Sequence, residues 1–211
     1  MGLRLNGSTS GYTEVNAPAS AGNNTLVLPT GNGSAGNILG TDGSGNLSWV
    51  NGRLVLGTAQ NSTSGTSIDF TGIPNWVKRV TVMFNGVSTN GTSLYQVRLG
   101  SSGGIESTGY DSASSSGDNA ASYVANSTTG FLPLPPFYAV AANLAHGAFT
   151  ITNITGNTWI AFGNFAIVGG SSAAACAGTK TLTGALTQVR ITTVNGTDTF
   201  DAGSINIMYE G

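Results

Sequence analysis

Charge is what this chain has least of. Seven Lys or Arg and nine Asp or Glu serve 211 residues, a charged share of 8%, against about a quarter in ordinary soluble domains. Nucleic-acid binding requires clustered Lys and Arg. The nearest approach is Lys78-Arg79 between Val77 and Val80, which reads as the outward and edge positions of a strand. Cysteine occurs once, at Cys176, so no intrachain disulfide can staple the fold and no thiolate zinc site can form. Histidine also occurs once, at His146, too far along the chain to mark Cys176 as a catalytic thiol. The small neighbours Ala173, Ala174, Ala175 and Ala177 predict a packed, unreactive sulfur. No apolar run approaches the roughly 18 residues of a membrane span. Residues 1–6 have no apolar core of the kind a signal peptide carries. A helical period is missing too. The best helical candidate, 139–148, follows Pro133, Pro135 and Pro136 and is read as a loop.

What the chain has is glycine, 32 residues of it, with Ser, Thr and Asn filling most other polar positions. Short apolar runs alternate with turn formers, and the hydrophobic share is 39%. A disordered chain would be poorer in β-branched and aromatic residues. The composition predicts an all-β protein with a hydroxyl and amide surface, suited to tight packing between identical chains.

Two regions emerge. In residues 1–52 small apolar pieces recur about every ten residues: Leu3 and Leu5, Tyr12 and Val15, Leu26 to Leu28, Ile38 and Leu39, Leu47 to Val50. Each is too small to bury its own apolar face, so this region is expected to be a thin β shaft that closes only when several chains wind together. Thr25-Leu26-Val27-Leu28 reads as a strand and Trp49 as an anchor.

From residue 53 to 211 the strands lengthen. Ser67-Ile68-Asp69-Phe70 enters a turn at Gly72 to Asn75. Val77 to Val87 places Val80, Val82 and Phe84 on one face, and Leu94 to Leu99 is its expected hairpin partner across the Asn85-Gly86 and Asn90-Gly91 turns. Phe149 to Thr152 and Trp159 to Phe162 flank a turn at Gly156-Asn157. Gln188 to Val194 and Ser204 to Tyr209 follow, the latter with Ile205, Ile207 and Tyr209 on one side and Asn206 and Met208 on the other. Many short strands separated by turns predict a β-sandwich of jelly-roll type. Two stretches, 101–125 and 128–138, read as long loops, which in compact domains usually carry function.

Catalytic and metal motifs are weak. Gly31-Asn32-Gly33-Ser34-Ala35-Gly36 fits a dinucleotide fingerprint in letters, but no helix is predicted after it. Asp198 and Asp201 lack the surrounding carboxylates of a calcium site, and Asp198 is assigned to its own turn. Glu106, Asp111 and Asp118 are the carboxylates from which a glycosidase pair would be drawn. No cofactor or metal is expected. The aromatics of the irregular stretches, Tyr110, Tyr123, Phe131, Phe137 and Tyr138, are either plugs for loops or contact area for sugars and protein surfaces. With neighbouring Asp111 and Asp118, the three tyrosines Tyr110, Tyr123 and Tyr138 form the expected receptor-binding set.

Two stretches carry a resemblance. Residues 64–88, with Ser67-Ile68-Asp69-Phe70-Thr71-Gly72-Ile73-Pro74, and 190–207, with Asn195-Gly196-Thr197-Asp198-Thr199-Phe200, resemble the start and end of a domain found in bacteriophage tail fibre proteins. Arg4 to Tyr12 and Asn37 to Trp49 look like the repeats that precede it in phages of aquatic hosts. The resemblance implies a homotrimeric virion fibre, attached to tail or baseplate through residues 1–52 and presenting residues 53–211 outward to a host glycan or protein; the scarcity of Lys and Arg and of long apolar runs separately leads to the expectation of no nucleic-acid partner and no membrane insertion. A capsid cement protein and a glycan-degrading spike are the alternatives; the second requires a working carboxylate pair.

Overall fold

Alternation of β-branched and polar residues becomes strand almost throughout the computed structural model, which describes residues 2–20, 22–34, 36–52, 54–117, 122–136, 139–169 and 172–211. Among these residues there is no α-helix. The chain divides into two units, Met1–Gly52 and Arg53–Gly211.

The first unit holds two hairpins. β1 (Leu3–Asn6) pairs antiparallel with β2 (Tyr12–Val15), and β3 (Asn37–Thr41) with β4 (Leu47–Asn51). The expected strand around Leu26 is reduced to one parallel bridge, Val27 to Asn46, with Val27 N–H donating to Gly45 O and accepting at its carbonyl from Leu47 N–H. Trp49 anchors as expected, its indole N–H donating to Gly31 O at 2.5 Å. Asp42 closes the β3–β4 turn by accepting from Ser44 N–H and Asn46 N–H. None of the described residues here is buried.

The second unit contains β5 (Leu54–Leu56), β6 (Gln60–Asn61), β7 (Ser67–Thr71), β8 (Arg79–Thr89), β9 (Tyr95–Ser101), β10 (Gly104–Ile105), β11 (Tyr110–Gly117), β12 (Ser122–Ser127), β13 (Leu144–Thr155), β14 (Thr158–Val168), β15 (Ser172–Thr181), β16 (Gln188–Thr193) and β17 (Phe200–Glu210). A large sheet runs β12-β11-β15-β14-β13-β8-β17-β5, with β6 also on β17, and a smaller one runs β10-β9-β16-β7. Both feed one core. Val80, Val82, Phe149, Ile151, Ile205 and Ile207 come from the large sheet, and Ile68, Val97, Leu99, Val189 and Ile191 from the small one. The residues grouped on one face of β8 and of β17 do share a face, and Val80, Val82, Phe84, Ile205 and Ile207 are buried on it. Burying each such side chain contributes about 1.5–3 kcal/mol.

Several expected connections differ. β9 does not pair with β8: it lies between β10 and β16, while β8 lies between β13 and β17. Asn85-Gly86 makes no turn because β8 runs through it. Gly86 takes φ 64° at a register shift, opposite Gly203 of β17 at φ 90°. A Cβ on Gly203 would meet the Gly86 carbonyl. β16 and β17, joined through Asn195 to Asp198, sit in different sheets, so that segment crosses between layers. The stretch 101–125, read as a loop, is largely strand: β11 and β12 pair from Ser112 with Ser127 to Gly117 with Ser122. Serine is a poor strand former by composition, and a full ladder to β15 on the other side overrides that preference. β15 itself, Ser172–Thr181, carried no strand signal because Ala and Gly dominate it. Gly178 is required there: a Cβ would lie 2.6 Å from Asp111 O and 2.8 Å from the Phe131 ring.

Candidate functional site

The segment Ser102 to Gly109, which includes β10, is fastened by a buried cluster. Tyr110 points inward from the start of β11 and is only 3% exposed. Its hydroxyl oxygen accepts from Leu99 N–H at 2.7 Å, and its O–H lies 3.0 Å from Glu106 O. Its ring meets Phe131 edge-on with centroids 5.0 Å apart. Across the ladder, Lys180 pairs with Tyr110 on β15 and places its ammonium 2.6 Å from Glu106 Oε2; the side chains are 5% and 14% exposed. The other oxygen of Glu106 accepts from Thr183 N–H at 2.9 Å and Thr183 Oγ1 at 2.6 Å. Burial would raise the Glu106 carboxyl, but the hydrogen bonds from Lys180 and Thr183 outweigh it and hold the group below its usual range. A general acid needs the opposite shift. Burial pushes the Tyr110 phenol well up. The cluster is a lock between the sheets.

Of the five expected receptor contacts, the three among the described residues, Tyr110, Asp111 and Tyr123, do not share one exposed surface. Tyr110 is a correction: it belongs to the core because strand alternation turns it inward and Asp111 outward. Asp111 is exposed on the outer face of β11. Tyr123 is half-buried and packs against the core. Asp118 and Tyr138, with Phe137, lie outside the described residues. Glu106 and Asp111, the glycosidase candidates among the described residues, point to opposite uses: one is sealed against Lys180, the other faces solvent. Phe131 is wholly buried and bridges to Val97 through two backbone hydrogen bonds of 2.9 Å, so it plugs the core.

Asp198 holds a turn, as expected, and reaches further. It accepts from Asn195 Nδ2 at 2.6 Å and from Ser93 N–H at 2.9 Å, tying the Asn90 and Asn195 turns together. Among the described residues no group of three His, Cys, Asp or Glu could hold a metal ion. β3, not a helix, follows Gly36, which removes the dinucleotide fingerprint. Cys176 is buried, with its thiol 3.5 Å from Gly163 O, and burial pushes it up to about 12.

The feature that residue-by-residue reading missed is the outer face of the large sheet. Pairing registers align one row across all eight strands: Asn126, Ala113, Ala177, Phe162, Thr150, Thr81, Met208 and Leu56. The adjacent row runs Val124, Ser115, Ala175, Asn164, Ala148, Met83 and Asn206. Neither contains a charged residue. On the other side of the Phe162 row lie Asp111, Thr179, Ile160, Thr152 and the Arg79–Glu210 ion pair at 3.0 Å. Phe162 is 50% exposed, although β14 is the fourth strand in from the β12 edge. The period-2 pattern of β14, apolar on both sides, was the available signal: Ile160, Phe162 and Val168 are exposed opposite Trp159, Phe165 and Ile167.

No protein-family model matches this chain, and no curated protein matches it.

Proposed function

We propose that this chain is a structural fibre protein of a virion, assembled as a homotrimer. Residues 1–52 form a thin shaft between identical chains and attach to tail or baseplate; residues 53–211 form a jelly-roll-like head that binds the host surface. One observation carries the assembly. Within residues 2–52 no described side chain is buried, yet Leu3, Leu5, Tyr12, Val15, Leu26, Val27, Leu28, Ile38, Leu39 and Trp49 are large, apolar and exposed. Two-strand hairpins are marginal alone. Closing these side chains against sister chains contributes about 1 kcal/mol for each one half-covered. The head needs no such help, since every residue of the core cluster lies in the second unit. The resemblance to tail fibre sequences at 64–88 and 190–207 supports the virion setting. In this reading the head contacts are individually weak, and trimeric display links them so that avidity rises without new contacts.

Sedimentation equilibrium tests the assembly. The full chain is expected at three times its 21.2 kDa protomer mass. A monomeric full chain would refute the shaft. Immunogold labelling of intact particles tests the setting: label at the tail tip is expected, and label over the capsid shell would favour a cement protein instead.

A further inference from the structure

We infer that the outer face of the large sheet is a contact surface of the head with a second copy of this chain; the inference rests on the oligomeric reading above. The face is broad enough. Its six longest strands, β11, β15, β14, β13, β8 and β17, each contain 8 to 12 residues. At about 4.8 Å between strands and 3.3 Å per residue they present roughly 950 Å², where a stable interface covers about 800 Å² per partner.

Its chemistry selects the occupant. The two central rows are uncharged, so identical faces meet without opposing like charges. Beside them Arg79 and Glu210 neutralise each other, and Asp111 stands exposed at the β11 end of the same flanking row. Ala113, Ala148, Ala175 and Ala177 form a low floor from which Phe162 and Val124 project, 50% and 62% exposed. Low floor and projecting side chain are the complementary parts of an interdigitated sheet contact. A glycan is best held by a platform of several aromatic rings, and these rows supply one, Phe162, beside the amides and hydroxyls of Asn126, Asn164, Thr150 and Thr81. An anionic membrane would need Lys or Arg, which these rows lack. A sister chain requires neither.

The test uses the full-length protein. Ala148→Cys places a thiol at the centre of the face, and Val194→Cys places one on an exposed turn outside it; the native Cys176 is buried. In the assembled protein a bulky maleimide is expected to react at Ala148→Cys at least about tenfold more slowly than at Val194→Cys, because the thiol is reached only when copies part. Adding Phe162→Lys should restore the rate, since a buried lysine would prise the faces apart. Equal rates at the two thiols in an intact oligomer would overturn this inference and leave the shaft standing. A monomeric full chain would overturn both. Should Phe162→Lys fail to fold, the comparison of the two single-thiol variants decides alone.

Discussion

Replacing Glu106 by glutamine keeps its shape and its acceptor for Thr183 but removes the charge facing Lys180. The ammonium of Lys180, 5% exposed and 2.6 Å from the carboxylate, is then buried without a counter-ion. Breaking one side of a buried pair costs about 3–5 kcal/mol. The residual exposure of Glu106 and the Tyr110 ring 5.3 Å from the ammonium point to the lower end. For a unit of this size about 3 kcal/mol corresponds to a fall in Tm of roughly 6–12 °C, read by circular dichroism at fixed protomer concentration. Lys180→Met in the same background should recover most of the loss, because a pair replaced by neutral groups of similar volume is close to neutral. The pH dependence supplies a second readout. Folding depresses the Glu106 pKa below its ordinary 4.5. Its stabilisation is therefore fully present above that value and is lost as pH falls through the lower, folded value. Glu106→Gln should lose that limb of the acid transition and leave the profile above pH 4.5 parallel to the parent. A drop in Tm below about 2 °C, or no recovery in the double variant, would show that Lys180 reaches solvent and that the lock is not electrostatic.

Tyr110→Phe removes the hydroxyl that accepts from Leu99 N–H and should cost about 1–3 kcal/mol in urea unfolding while leaving host adsorption of the folded protein unchanged; an adsorption defect at full stability would return Tyr110 to the receptor set. Gly178→Ala pushes a methyl into Asp111 O and the Phe131 ring and should cost about 1–3 kcal/mol by the same assay; a neutral result would mean that Phe131 moves freely. The Cys176 thiol, pushed up to about 12 by burial from an ordinary 9.0, holds about a thousandth of the usual thiolate at a given pH. Ellman's reagent should therefore titrate it slowly in the native protein and at once in guanidinium, and prompt native reaction would contradict its burial.

Some of this architecture was legible in residue order. The inward rows of β8 and β17 follow from Val80-Thr81-Val82-Met83-Phe84 and Ile205-Asn206-Ile207, where a half-buried strand must alternate. The turn at Gly156 needs only its own residues, with Gly156 at φ 51°. Other features were decided by partners distant in sequence. β15 has almost no strand preference of its own and exists because β14 and β11 ladder against both its edges. The same ladder makes strand of the serines of β11 and turns Tyr110 inward. An aromatic residue among Ser, Gly and Asp resembles a contact residue until the sheet on its other side is known.

The single Cys was sufficient by itself to exclude an intrachain disulfide, and turn formers set between short alternating apolar runs were sufficient to point to an all-β protein, because cross-links need paired thiols and a two-residue period suits only strands. Alternation likewise determined which side chains of the longest strands face inward. Only the tertiary structure decided that Glu106 is neutralised by Lys180, that Tyr110 is core, and that the uncharged residues of several separate segments align into one face. Each depends on strand order and register, and shifting a register by one residue moves every side chain to the opposite face.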